Sequence, residues 1–329
     1  MSHILITGGA GFIGHHLVEE ILKKHGDFVT IIDRLTYSSS GFDRLRDIGA
    51  YENPRIRIFT HDFSQPLVEF LAHEIGSPDY IIHMGAETHV DQSIKNPNKF
   101  VMSNVVGTMQ LLEFAKTCRN LKKFLYFSTD EVFGPAPIGT SYKEWDRYNC
   151  TNPYAASKAG GEELCLAYAN SYSIPMIITH TMNVYGERQH REKFIPIVMN
   201  KIIKDELLEI HCTNGIPASR SWIHARNAAN AIMFLLEHTP TTVRDKYNIT
   251  GEAEYNNLNL ALLIAGMMGK ILKFNCVDYY ADRPGHDPRY MLDGQKIREM
   301  GWFMPVDFEG ALKKTIDWTL KNQRWLEWK

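Results

Sequence analysis

No run of apolar residues in the chain approaches the roughly 18 that a membrane-spanning helix needs, so nothing in it reads as a membrane segment. Cysteines are few: Cys118, Cys150, Cys165, Cys212 and Cys276 are odd in number, widely spaced and without a C-x-x-C pair. That pattern argues against a disulfide framework and against a metal site. Neither charge is in excess. Lysine plus arginine come to 36 and aspartate plus glutamate to 38, a net charge of −2, which offers no basic surface to nucleic acid or to an anionic membrane. Low-complexity tracts and internal repeats are absent, and 23 glycines and 14 prolines are ordinary for 329 residues, which excludes collagen-like, disordered and rod-like chains. There is no leader pattern either: Met1 runs straight into His3-Ile4-Leu5-Ile6-Thr7, which reads as a strand. The expectation is a cytoplasmic protein with reduced thiols.

What is present is an alternation of two periods. Short apolar, β-branched runs at His3 to Thr7, Phe28 to Asp33, Arg55 to Thr60, Asp79 to Met84, Lys123 to Ser128 and Met176 to His180 read as strands. Between them, Gly11 to Lys24, Leu67 to Ile75, Val101 to Cys118 and Pro153 to Tyr172 carry helical spacing. Strands that alternate with helices pair in parallel, because a parallel crossover needs a connection of helix length. The fold class is therefore α/β, a doubly wound parallel sheet. After Asn183 the rhythm breaks and loops lengthen around Gly186 to Lys193 and Asn214 to Ser219, before a closing helix over Glu309 to Lys321. At roughly 150 residues per domain the length suggests about two domains. Residues 1–183 read as the dinucleotide-binding domain and 184–329 mainly as a smaller substrate lobe, with segments such as 221–250 returning to the first.

Three motifs carry chemistry. Gly8-Gly9-Ala10-Gly11-Phe12-Ile13-Gly14 follows the first strand directly and opens the first helix. Missing side chains there let the backbone turn tightly and approach a pyrophosphate at the helix N-terminus. Asp33 ends the second strand at the spacing of an acid that accepts both ribose hydroxyls and repels a 2′-phosphate, which favours NAD, although Arg34 beside it works against that preference. Tyr154-Ala155-Ala156-Ser157-Lys158 places a phenol and an ammonium on one helix face at i, i+4. The ammonium favours the phenolate, so Tyr154 is a candidate general base near neutral pH. Finally, Ser128-Thr129-Asp130-Glu131 stands at a strand end, where ligands bind in such sheets. Two adjacent carboxylates push one pKa upward, an arrangement for one acid and one base, provided the backbone turns so that both face the same substrate.

With the segments His83-Met84-Gly85-Ala86-Glu87-Thr88-His89 and Asp282-Arg283-Pro284-Gly285-His286-Asp287, these motifs resemble the extended short-chain dehydrogenase/reductases. Within them the chain is most similar to the nucleotide-sugar 4,6-dehydratases, dTDP-glucose enzymes above all, and Thr129-Asp130-Glu131 is the discriminating motif. The resemblance implies a nucleoside-diphosphate glucose as substrate and a tightly bound, recycled NAD. It implies that Tyr154 and Lys158 serve the oxidation at C4, that Thr129 orients the sugar, that Glu131 removes the C5 proton and that Asp130 protonates the departing C6 hydroxyl. It also implies that Gly8, Gly11, Phe12, Ile13, Gly14, Asp33, Thr36, Asp62, Phe63, Ala86 and Ser103 contact NAD, together with Tyr154 and Lys158. Thr88, Asn183, Lys193, Phe194, His211, Arg220, Asn248, Arg283 and His286 are the implied contacts to the sugar nucleotide. A homodimer through the helices around Val101 to Cys118 and Pro153 to Tyr172 is implied as well.

Departures from the family pattern leave the nucleobase open between thymine and uracil. Glu209 to Gly215 reads as a longer loop than usual, with His211 where a base-stacking tyrosine is expected. Gly85 stands where alanine is usual, which suggests a looser cofactor contact. The alternatives are a nucleotide-sugar epimerase or decarboxylase, which uses the Tyr/Lys pair and treats the carboxylates as substrate contacts, and a non-catalytic dinucleotide binder on the same fold.

Overall fold

The structure, a computed structural model, describes residues 1–252, 254–278 and 287–327. In chain order its strands are β1 (His3–Thr7), β2 (Phe28–Asp33), β3 (Ile56–Thr60), β4 (Tyr80–His83), β5 (Lys123–Thr129), β6 (Met176–Thr181), β7 (Asn183–Tyr185), β8 (Leu208–Thr213), β9 (Ile216–Pro217), β10 (Ser219–His224), β11 (Arg244–Ile249), β12 (Glu254–Asn256) and β13 (Phe274–Asp278). Seven of them form one sheet in the order β3-β2-β1-β4-β5-β6-β11, every pair parallel. The strand order reverses between β1 and β4, which opens a crevice beyond their carboxyl ends.

Strand alternation feeds a core on each face. β1 sends Ile4 and Ile6 to one side, where they pack with Leu17 and Ile21 of the Phe12–Lys24 helix and with Ile232 and Leu236 of the Ala225–His238 helix. Leu5 goes to the other side, to Leu111, Phe114 and Cys165. Burial on both faces is why β1, β2 and β6 read as nearly continuous apolar runs. The chain after residue 220 does return to this sheet, since β11 pairs with β6 over Arg244 to Ile249. A second core, with Ile195, Val198, Ile210, Leu260, Leu312 and Ile316, lies under two three-stranded sheets, β12-β10-β7 and β13-β8-β9.

Two local features differ from the sequence expectation. The helix over Val101 to Cys118 is not one α-helix. An α-helical turn at Pro97–Val101 passes into a wider π-helical turn at Met102–Val106 and then into α-helix at Gly107–Ala115. Such widened turns re-aim side chains, and this one carries the buried Ser103 and Asn104 inward. The segment read as a long loop ending in Gly215 is instead a tight hairpin: Thr213 pairs with Ile216 across Asn214 (φ +50°) and Gly215 (φ +76°). Two positive φ angles in a two-residue turn are why Asn-Gly stands there.

Candidate active site

The crevice is a cavity of about 350 Å³. Its cofactor side is built by the glycine turn. A Cβ at Gly14 would lie 2.2 Å from the carbonyl oxygen of Gly8, and one at Gly8 (φ +74°) 2.8 Å from the backbone of Gly85, so the turn can close only without side chains. Phe12 and Ile13 line the wall beside it. Asp33, at the end of β2, is buried and accepts the N–H groups of Ala10 at 3.0 Å and Leu35 at 2.8 Å. An ionised carboxylate has about four acceptor sites, so lone pairs remain for a diol. Burial raises its pKa, and these two N–H bonds oppose the rise. Arg34 is bound to the carboxylates of Glu87 and, at 3.3 Å, Asp62. Its charge is therefore already matched, which removes the cation that would favour a 2′-phosphate.

Other cofactor candidates divide. Thr36, Phe63, Ala86 and Ser103 line the cavity, whereas Asp62 acts from behind it by holding Arg34. The glycine at 85 is not a slackening: a Cβ there would stand 2.5 Å from the Phe63 ring, which fills the space of the missing methyl. Among the described residues, Ser103 Oγ, Thr181 Oγ1, Asn183 Nδ2 and Asp130 Oδ2 are buried polar atoms without a partner, and all four residues line this cavity. Buried groups of this kind are normally satisfied, so the wall is chemically suited to a polar ligand such as a dinucleotide.

The backbone turns at the end of β5. β5 ends at Thr129 and the chain enters a tight 3₁₀ turn over Asp130–Phe133, capped by Thr129 Oγ1, which accepts the N–H of Glu131 at 3.3 Å. The turn brings Thr129, Asp130 and Glu131 together to one cavity wall. Burial, reinforced by the Glu131 charge, pushes the Asp130 carboxyl up to about 7, with Arg220 opposing. An acid near neutrality beside a second carboxylate is a matched donor and acceptor of protons.

Tyr154 and Lys158 come from the first turns of the Pro153–Tyr172 helix and also line the cavity. Thr129 lies on the same cavity wall as Tyr154. The phenol does not sit near neutrality, however. Burial first, then the charges of Glu131 and Asp130, push it well above its ordinary value. Lys158 donates to the carbonyl of Phe127 at 2.8 Å and lies 4.1 Å over the Tyr126 ring, and burial pulls it down to about 8. The i, i+4 spacing puts the pair in one cavity, but burial, with the local carboxylates adding to it, dominates the phenol.

Among the substrate candidates, Thr88, Asn183, Lys193 and Phe194 line the same cavity. Arg220 approaches from β10 and lies 4.5 Å over the Tyr290 ring, donating to the carbonyls of Asp287 and Pro288. Asn248 is not on the wall: it is fully buried in β11, with its amide on His180 and on the carbonyls of Tyr142 and Asp293. His211 lies on β8, away from the cavity wall. Arg283 and His286 lie outside the described residues. His83 is a satisfied core histidine, bonded to Thr7 at 2.6 Å and Thr108 at 3.0 Å, and burial pulls it down to about 3.

Sequence reading misses several residues at the site. Thr181 is the in-register neighbour of Thr129 across β5 and β6, one residue past the expected strand end. Gln189 and His190 reach the cavity from the loop after β7. Tyr290 brings its hydroxyl within 3.5 Å of Glu131. Only the strand register of Thr181 left a readable signal.

Residues 5–315 match the family described as GDP-mannose 4,6 dehydratase. The dTDP-glucose 4,6-dehydratase of Haemophilus influenzae is 37% identical to this chain, covering 98% of it and 99% of its own length. A trifunctional UDP-glucose 4,6-dehydratase/UDP-4-keto-6-deoxy-D-glucose 3,5-epimerase/UDP-4-keto-L-rhamnose-reductase of Arabidopsis thaliana is 34% identical, covering 98% of this chain and 48% of its own length. In three dimensions the chain is similar to the dTDP-glucose 4,6-dehydratase DesIV of Streptomyces venezuelae, solved with NAD bound. The TM-score is 0.89 at 33% identity, covering 99% of this chain and 100% of that one. The chain belongs to the GDP-mannose 4,6-dehydratase family, the nucleotide-sugar dehydratases of the extended short-chain dehydrogenase/reductase class.

Proposed function

We propose that the chain is an NAD-dependent lyase that dehydrates a nucleoside-diphosphate glucose, carrying a thymine or uracil base, to its 4-keto-6-deoxy product. The observation that carries this reading is the split pair at the end of β5: a buried Asp130 raised to about 7 beside Glu131, in one cavity with Tyr154, Lys158 and the glycine turn. Removing water across C5 and C6 requires an acid and a base on neighbouring carbons. An enzyme that only exchanged hydride at C4 would have no need of both.

When bound, NAD⁺ supplies a two-electron acceptor and a positively charged ring. Gly8, Gly11 and Gly14 would seat its pyrophosphate at the helix N-terminus, and Asp33 its adenosine ribose, with Arg34 neutralised against a 2′-phosphate. Tyr154, once ionised, takes the proton of the C4 hydroxyl, and Thr129, on the same cavity wall, orients the sugar. Lys158 adds positive charge behind it. The ketone formed at C4 acidifies the C5 hydrogen, which Glu131 removes. Asp130 delivers its proton to the C6 oxygen, and water departs. The hydride removed from C4 returns to C6 of the resulting enone and C5 regains a proton from Glu131, so the balance is loss of one water with no net redox change. Thr88, Asn183, Lys193, Phe194 and Arg220 would hold the sugar nucleotide.

Support for a homodimer comes from the apolar side chains of Val101, Met102 and Tyr172, exposed along the helices implied for it. Among the described residues no helix is long and apolar enough to cross a membrane. We assign the protein to the cytoplasm and its cofactor domain to residues 1–183 together with returning segments such as 221–250, which include β11. The test is mass spectrometry of product after incubation with dTDP-glucose, UDP-glucose and UDP-N-acetylglucosamine separately, without added reductant. Loss of one water from a glucose donor is expected and identifies the base. Unchanged mass with an inverted C4 centre would replace this reading by an epimerase.

A further inference from the structure

Asn152 precedes the catalytic helix and is buried against the carboxylate turn. Its Oδ1 accepts the N–H of Ala155 at 2.9 Å, and its Nδ2 donates to Glu131 Oε2 at 3.2 Å. The orientation of the amide is settled by chemistry. A helix-terminal N–H can only donate, so Oδ1 must face the helix and the NH₂ group must face Glu131. That contact is complete only when Glu131 presents an acceptor oxygen. Capping alone does not call for an amide, because aspartate and serine cap as well as asparagine. Of these, asparagine alone sets an N–H on the carboxylate while its oxygen stays on the helix.

We propose that Asn152 is a positioning residue that fixes which of the two adjacent carboxyls carries the charge, holding Glu131 ionised while it caps the helix that carries Tyr154. A donated N–H favours the charged form of a carboxylate. The Glu131 charge in turn helps keep the proton on Asp130. One side chain thus couples the redox tyrosine to the acid–base pair. The inference rests on Glu131 being the base of the elimination. Among the described residues, the groups that face Glu131 include Asp130 on its own turn, Cys150 and Tyr154 from the helix and its approach, and Tyr290, over which Arg220 lies.

The test titrates the side-chain carboxyl of Glu131 by carbon NMR, its signal assigned by loss in Glu131→Gln. The parent is compared with Asn152→Ser and Asn152→Asp. The serine variant keeps the cap and loses the amide donor. The aspartate variant keeps the cap and sets a carboxylate against Glu131. The midpoint is expected to rise by about 1 pH unit in the serine variant and further in the aspartate variant. The acidic limb of the dehydration rate should move with it. An unmoved midpoint overturns the proposal, since a residue that only caps would change the melting temperature alone. If the aspartate variant does not fold, the serine variant decides. A moved midpoint in a protein that turns over no nucleotide sugar would uphold the hold on Glu131 and sink the dehydratase reading.

Discussion

Neighbouring residues at the end of β5 lead to two buried carboxyl groups with opposite fates. Thr129 donates to Asp130 at 3.1 Å, and Ser128 donates to Glu162. Glu162 lies one helical turn beyond Lys158 and is fully buried, and Asp130 is nearly so. Burial pushes both upward. At Asp130 the Glu131 charge adds to it, and the result is about 7. At Glu162 the push is overcome by His180 at 3.0 Å, Lys246 at 3.4 Å and the Ser128 hydroxyl, and the carboxyl is held down to about 2. Tyr148 also donates to Glu162. Burial alone therefore sets neither group; the partners do. The carboxyl left short of partners has a proton to give to a substrate. The one surrounded by donors stays charged and ties β5, β6, β11 and the catalytic helix together.

Exchanging the two roles by mutation tests this contrast. Asp130→Asn removes a proton donor that the fold does not need. We expect dehydration to fall by about 10²- to 10⁴-fold while the urea midpoint is unchanged or higher. Single-turnover product formation and denaturation on one preparation measure both. Glu162→Ala should do the reverse in kind. It leaves Lys246 charged and buried without its counter-ion, a loss of about 3–5 kcal/mol by the cost of breaking a buried pair. Equal destabilisation by the two substitutions would refute the division of labour.

A smaller effect appears in pH dependence. Glu162 is depressed from 4.5 to about 2, so its contribution is present above pH 4.5 and lost as pH falls toward 2. Asp130 is raised from 3.8 to about 7. The unfolded chain releases that proton first, so stability declines as pH rises from 3.8 through 7. Urea midpoints across pH should lose the acid-side fall in Glu162→Gln and the neutral-side fall in Asp130→Asn. A neutral-side fall that persists in Asp130→Asn would assign it to another group.

How much of this was legible follows from where each partner lies along the chain. The glycine turn, Asp33 and the Tyr154–Lys158 pair are set by spacing within one strand–turn–helix unit, and the structure brings them to one cavity. Asp130 and Glu131 were legible as a pair, but the turn that lets both face inward depends on the Thr129 cap. Six strands of the main sheet followed from alternation, whereas β11 and the second lobe did not, because β11 returns to the sheet after a long excursion, β7 is short, and β7 and β10 pair across a long separation. Glu162 has the same helical spacing from Lys158 that Lys158 has from Tyr154. Nothing local distinguishes it, since its partners Ser128, His180 and Lys246 arrive from three other strands. The phenol shift of Tyr154 was misjudged for a related reason. The spacing named the ammonium but not the burial of the phenol or the carboxylates that face it.

The finest probe of the contrast is Tyr148→Phe. The Tyr148 hydroxyl stands between Glu162 and Lys246 and takes part in hydrogen bonds with both. Deleting it leaves Glu162 with Ser128, His180 and Lys246. If these donors act separately, the loss should be that of one bond to a charged group, about 1.5–3 kcal/mol, below that of Glu162→Ala. The low-pH edge of stability should also move up, because one of the groups favouring the carboxylate is gone. If the hydroxyl instead completes a network whose members depend on one another, Tyr148→Phe will cost as much as Glu162→Ala. A double-mutant cycle between the two substitutions separates these cases. Additive losses would mean that Glu162 is held down by a sum of contacts, and a double mutant no worse than either single change would mean that it is held by one unit.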